Sequence, residues 1–427
     1  MRLNSEMVDA PVALDESPPS RQRWVTVLAS FIGSSVSISP AFLIPFGLYI
    51  KPMSAELGWS RTQLSLGVSV VALVSVLLTP VAGALIDRRG ARPLAWVGAI
   101  GMPIALVCLS RLPASYPLYV TLAGCLGIVS VAGSPMTYLA VLPQWIHKRL
   151  GRAIAFSMIG LGVAQMLNSA STAHFIASLG WRDAWMISAW VIGPLGIANC
   201  LFLFKDNPAF LRASRAPGDR PLLDGLSFAR ALRQPVFWLL GVAALLVCTV
   251  AAGIATHSAA ILTDRGASSG TAAGAVMLLG LGSLTGRLVT GMLLDRVAFG
   301  WVGAANFGLQ GLGLLLLWQG SAGVLALAAM FVIGLATGAE ADIIPFALRR
   351  LFGMRAYGKL FGITFALYQL GPVFGGPLMG ASFDRYASYT PMLALFVAFA
   401  FLAALLTYIA GAKRVLAASG LPSTAAG

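Results

Sequence analysis

Apolar residues in this chain arrive in runs of roughly 20, each closed by a short stretch of charge, glycine or proline. Wound as a helix at about 1.5 Å per residue, such a run covers the roughly 30 Å hydrocarbon core of a bilayer. Twelve runs are counted, beginning near Trp24, Arg61, Pro93, Pro117, Gly151, Ala184, Val236, Thr271, Gly300, Ala322, Tyr357 and Thr390. The pattern predicts an all-α membrane protein with twelve transmembrane helices. The longest polar interruption, Lys205 to Gln234, holds six basic residues and several prolines and divides the helices six and six. The expected organisation is a tail (1–23), a six-helix bundle (24–204), a linker (205–234), a second six-helix bundle (235–411) and a tail (412–427).

Composition adds a class and an orientation. Of 427 residues, 58% are hydrophobic and 10% charged, where soluble domains carry about 25% charge. The net charge of +14 would suggest nucleic acid if the basic residues gathered on one folded face. They lie instead in the gaps between apolar runs, and basic loops stay on the cytoplasmic side during insertion. With a cytoplasmic N-terminus, 22 of the 29 basic residues fall on the inner side and six on the outer (Lys51, Arg61, Arg111, Arg182, Arg265, Arg385), leaving one within a helix. The expected location is the cell inner membrane, multi-pass, with both termini cytoplasmic. Residues 1–23 lack the apolar centre and cleavage site of a secretory signal and read as a tail. Cys108, Cys125, Cys200 and Cys248 lie inside apolar runs without CxxC spacing, which points to buried packing rather than disulfides or metal.

The second gap and the eighth share a spacing. At an offset of 208 residues, Gly58 and Ser60 of "ELGWS" match Gly266 and Ser268 of "DRGAS", Gly83 matches Gly291, Leu85 matches Leu293, and Asp87 with Arg88 matches Asp295 with Arg296. Six helices return the chain to its starting side, so the halves are parallel repeats about an axis along the membrane normal. That arrangement suits alternating access.

The loop Gly83-x-Leu85-x-Asp87-Arg88-x-Gly90-x-Arg92 resembles the signature of the major facilitator superfamily, with a degenerate second copy at Gly291, Asp295 and Arg296. The resemblance covers essentially the whole chain and implies the major facilitator fold, with this loop acting as a conformational latch. Glycine permits close helix approach, while the aspartate and arginines can bond neighbouring helix ends. "FGLYIKPMSAELGWSRTQLSLG", "GRLVTGMLLDR" and "GAEADIIPFALRRLFGMRAYGKLFG" resemble the monocarboxylate transporter and oxalate/formate antiporter branch. There a lysine after the first helix and an arginine in the eighth engage anionic substrate; Lys51 and Arg287 occupy those positions. The antiporter's lysine in the eleventh helix has no counterpart here, where Tyr368 and Gln369 stand.

Independently of any family, three strongly charged residues lie well inside apolar runs: Arg287, Glu340 and Asp342. Each would cost about 2.5 to 3.5 kcal/mol at a helix centre unless paired or wet. Counting along the helices puts all three at one depth, in the same half. One arginine cannot neutralise two carboxylates, so one acid is expected to pair with Arg287 and the other, or the same one after substrate displaces it, to carry the coupling proton; a structural salt bridge within one half is the alternative. Two apart on a helix, the acids point about 200° from one another and should meet different surroundings.

Weaker candidates surround these. Tyr138, Gln165, Asn168, Tyr368 and Gln369 lie on helices that face the cavity in the resembled superfamily, and each can equally form helix-to-helix hydrogen bonds. His257 could titrate or bind anion, and Lys51 could capture anion or simply snorkel. "GPVFGGPLMG" from Gly371 reads as close helix packing. The expected function is a secondary transporter for a small organic anion, a monocarboxylate foremost, by proton symport or anion exchange, working as a monomer. Efflux of amphiphilic drug-like or siderophore-like compounds and a transport-inactive sensor are the alternatives. No GxxxxGK[ST] loop argues for ATP, and no cofactor, metal, nucleic acid or enzymatic constellation is expected, the histidines (His147, His174, His257) forming no cluster.

Overall fold

The computed structural model describes residues 20–215, 223–319 and 323–412. Most of both predicted tails and the middle of the linker lie outside these. Eleven continuous stretches are long and apolar enough to cross a membrane: α1 (Arg21–Leu57), α2 (Gln63–Arg89), α3 (Arg92–Ser110), α4 (Tyr116–Trp145), α5 (Leu150–Leu179), α6 (Trp181–Leu203), α7 (Pro235–Ser258), α8 (Gly270–Leu294), α9 (Phe299–Trp318), α10 (Val324–Phe352) and, at the end, α12 (Thr390–Gly411). Between the last two, α11 crosses as two successive helices, Tyr357–Gln369 and Gly371–Tyr386. Large apolar side chains such as Leu77, Trp190, Phe202 and Met277 stand outward on these helices. Only hydrocarbon makes that arrangement favourable, and only helices satisfy their backbone groups within it.

Several crossings are broken, three of them at or beside proline. In α1, Pro40 and Pro45 each lack an N–H and crowd the preceding turn, and the helix passes through a wide π turn at Ser39–Leu43. α4 breaks at Gly133-Ser134-Pro135. α11 breaks at Leu370, two residues before Pro372. α10 breaks between Thr337 and Glu340, at Gly338-Ala339, without any proline at the break.

The described residues fall into two compact units. The first comprises residues up to His147, Phe156–Phe228 and Phe352–Gly362; the second comprises Lys148–Ala155, Ala229–Leu351 and the chain from Ile363. The exchanged segments, the start of α5 and the start of α11, stand about one repeat offset apart in sequence. In the first unit, Tyr49 stacks on Trp185 with ring centres 3.7 Å apart, and Phe42 stacks on the same indole. In the second, Phe396, Met330, Ile333 and Leu314 form the fully buried centre.

Two expectations about packing meet different outcomes. Gly371 and Gly375 do pack on the backbone of α7, where added Cβ atoms would come 2.7 Å from Cys248 C and 2.2 Å from Thr249 O. The cysteines divide: Cys200 and Cys248 are buried, but Cys108 and Cys125 are exposed. These two sit on outward faces of α3 and α4, where the apolar solvent is lipid, so hydrophobicity alone did not mean burial inside protein.

Candidate functional site

The second unit builds its charged centre on glycines. Gly282 and Gly286 on α8 face Gly334 and Gly338 on α10, two small-xxx-small pairs meshed with one another. A Cβ on Gly286 would fall 1.8 Å from Leu335 O, and one on Gly338 would fall 1.9 Å from Ser283 O. The two backbones therefore touch at the level of Arg287. Gly286→Ala is expected to force them apart and lower stability by about 2–3 kcal/mol, an overpacking penalty, readable as a lowered thermal midpoint of the purified protein; an unchanged midpoint would show the contact to be slack.

This approach delivers Arg287 to the break in α10. Its Nε donates to Gly338 O at 2.6 Å and lies 3.3 Å from Asp342 Oδ2. The cation thus meets both partners a broken helix offers: a carbonyl at the C-terminal end of one piece and an acid in the first turn of the next, each placed as the helix dipole favours. Its side chain is 11% exposed, while Asp342 is wholly buried. Neither Asp342 oxygen accepts a hydrogen bond among the described residues, nor does Glu340 Oε2.

Glu340 points elsewhere. Its Oε1 accepts from Tyr368 OH at 2.9 Å, and the Cys248 thiol lies against the same hydroxyl. Tyr368 also stacks on Phe365. One acid is therefore paired with the guanidinium and the other with a phenol. Gln369, half-buried, is the last residue before the α11 break.

The remaining candidates are separate from this cluster. Tyr138 is closed in, edge-on to Phe204 at 5.3 Å and pressed against Gly33, where a Cβ would meet its ring at 2.1 Å. It packs the first unit rather than lining an open surface, because the glycine leaves room for the whole ring. Gln165 Nε2 donates to Ser39 Oγ at 2.9 Å and Asn168 Nδ2 to Pro40 O at 2.6 Å, so both hold the wide turn of α1. The His257 ring bonds Tyr389 OH (3.3 Å) and Gly376 O (3.1 Å), joining α7 to the second piece of α11 and to the residue just before α12. Lys51 is exposed near Pro52, with no ion pair among the described residues.

Both copies of the repeated loop aim their aspartate at a helix start. In the first unit Asp87 accepts from Gly358 N–H (2.7 Å) and Lys359 N–H (2.9 Å), the opening of α11. In the second, Asp295 accepts from Gly151 N–H (2.8 Å) and Arg152 N–H (3.2 Å), the opening of α5. Gly83 and Gly291 let these ends approach: Cβ atoms there would lie 2.1 Å from Gly358 O and 2.8 Å from Gly151 O. Burial holds the Asp295 carboxyl above the ordinary aspartate range, opposed by those two donors and by the Arg152 and Arg149 charges. Gly90, at φ +86°, and Arg92 join a third such contact, in which Asp206 accepts from Ala91 N–H and Arg92 N–H at 2.9 Å each. Arg92 also donates to Cys200 O. The Arg88 and Arg296 side chains are exposed and unbonded among the described residues.

Sequence reading missed Asp206, which also accepts from Gln144. An acid directly after an apolar run, in "FLFKDNP", was the available signal; nothing in the sequence reveals that it reaches back 115 residues.

Eleven membrane-length helices among the described residues, with α11 running as two shorter pieces beside them, define a polytopic helical membrane protein, and the family it matches gives its class as a transporter. Residues 24–376 match the Major Facilitator Superfamily, and the chain belongs to that family. It is similar to monocarboxylate transporter 11 of Homo sapiens, 27% identical over 390 residues, which cover 86% of this chain and 78% of that protein. The fujikurins efflux protein of Gibberella fujikuroi is 23% identical over 386 residues, covering 89% and 80%. In fold, the proton:xylose symporter XylE bound to 6-bromo-6-deoxy-D-glucose aligns with a TM-score of 0.72 over 90% of this chain and 95% of XylE, at 14% identity.

Proposed function

We propose that this protein moves a small organic anion, a monocarboxylate foremost, by alternating access across the cell inner membrane, with both termini cytoplasmic. The observation that carries the reading is the Arg287 guanidinium, fixed at the α10 break by Gly338 O and Asp342 yet keeping part of its surface open. A guanidinium offers a carboxylate a forked pair of N–H donors, the geometry in which a substrate anion would exchange for partners already held. Glu340, hydrogen-bonded to a phenol rather than to a cation, is the group we assign to a coupling proton. Lys51, exposed and unpaired among the described residues, suits first capture of an anion. The Asp87 and Asp295 contacts serve as latches that break and reform during the cycle. Similarity to a monocarboxylate transporter supports the substrate class.

The test is uptake of labelled pyruvate, lactate and acetate into proteoliposomes, with and without an imposed pH gradient. Gradient-driven accumulation of at least one acid is expected, and Glu340→Gln should uncouple it, leaving exchange while abolishing proton-driven accumulation. Failure of every carboxylate would reject the anion reading. Efflux of an amphiphilic compound is the second reading, favoured by the likeness to the fujikurins efflux protein; it requires movement of such a compound where all carboxylates fail.

A further inference from the structure

The described end of the linker is bonded in place. Leu226 N–H donates to Phe352 O at 3.0 Å, and Asp224 O accepts from Met354 N–H (2.8 Å) and Arg355 N–H (3.1 Å). Gly225 and Gly353 form an antiparallel bridge between these strands of chain. Both glycines have positive φ, +110° and +73°. A Cβ on Gly225 would fall 2.0 Å from Phe352 O, and one on Gly353 would fall 2.4 Å from Asp224 O. No other residue fits either position, for reasons of both conformation and space.

This strap ends at a latch. The Phe228 ring lies 5.2 Å from the Lys359 ammonium, and the backbone N–H of the same Lys359 is one of the two that Asp87 holds. Strap, loop and latch, 223–228 with 352–359 and Asp87, all belong to the first unit. The bonds to Asp87 require the second and third N–H groups of α11 to point at one carboxylate. Their aim is set by the loop before them, and the linker grips that loop. The other latch is stiffened differently: Arg152, whose N–H bonds Asp295, also brings its own Nε within 3.5 Å of that carboxylate.

We propose that Leu223–Phe228 is a clamp that positions the start of α11 for Asp87, so that the linker governs how readily this latch releases. The inference rests on reading the Asp87 contact as a latch, but not on the identity of the substrate. Its consequence is a linker that acts on one of two otherwise repeated contacts, giving a binding partner or modification of the linker a handle on the cycle.

Amide hydrogen exchange on the full-length protein in lipid nanodiscs tests this, because exchange reports the population of local opening. Gly225→Val should speed exchange of the Gly358 and Lys359 amides about tenfold, the factor expected from losing a hydrogen bond or two, while the Gly151 and Arg152 amides stay as in the wild type. Unchanged exchange at Gly358 and Lys359 would overturn the clamp, as would an equal rise at all four amides. Should Gly225→Val fail to fold, Phe228→Leu keeps the bulk and removes the cation–π contact; a two- to fivefold rise confined to the same two amides is then expected, and no rise overturns the proposal. Asp87→Ala separates the two ideas: if these amides stay protected without Asp87, the latch reading fails, whatever the clamp does.

Discussion

Arg287→Ala is expected to abolish carboxylate uptake and to destabilise the protein by about 3–5 kcal/mol, the penalty for stranding a buried charge. Asp342, wholly buried, would lose the cation that lies 3.3 Å from it. Two roles for the pair predict the same single-variant result, so the decisive experiment removes both partners. Arg287→Met with Asp342→Ala takes out the ion pair while keeping apolar volume, and such replacements are often neutral or stabilising. Thermal unfolding should therefore return close to the wild-type midpoint, while uptake of pyruvate, lactate and acetate stays absent. If the double variant transports normally, the pair is structural and the anion site lies elsewhere. Arg287→Lys offers a finer reading, since an ammonium cannot reproduce a two-pronged grip on carboxylate; the rate should fall at least tenfold although the charge is conserved.

Asp87→Ala is the second large effect. The carboxylate is 2% exposed and accepts two backbone N–H bonds at 2.7 and 2.9 Å. Bonds to a charged acceptor contribute about 1.5–3 kcal/mol each. Losing both should weaken the latched arrangement by roughly 3 kcal/mol, on the order of a hundredfold in population. Exchange of the Gly358 and Lys359 amides should then speed by about that factor, with Asp87→Asn intermediate because one acceptor oxygen survives. Equal exchange with and without Asp87 would mean that the two bonds do not hold this helix start closed.

How much of this was legible beforehand follows from the range of the interactions concerned. The crossings were read from run length, because the bilayer imposes one length on every helix. The repeated loop was read from its spacing, because glycine and aspartate serve the same local purpose in each half. The level shared by Arg287, Glu340 and Asp342 came from counting residues along helices. Their partners did not. Asp342 rather than Glu340 meets Arg287 because Gly286 and Gly338 bring α8 and α10 into backbone contact and α10 breaks just there. The break lacks the proline that would have announced it.

Tyr138 was legible as a polar aromatic in an apolar helix, but the slot that Gly33 on α1 makes for its ring was not. Likewise Gln165 and Asn168 were legible as polar groups in an apolar helix, but not as the supports of a wide turn 126 and 128 residues away in sequence.

The sequence by itself determined the class, the number of crossings, the repeat and the presence of a charged centre, since these depend on hydrophobic length and local spacing that any fold of this chain must respect. Tertiary structure decided which acid neutralises the arginine, which phenol holds the other and which stretch of linker grips the start of α11. Those choices turn on contacts between residues far apart in the chain, at distances of a few ångströms that only packed backbones can fix.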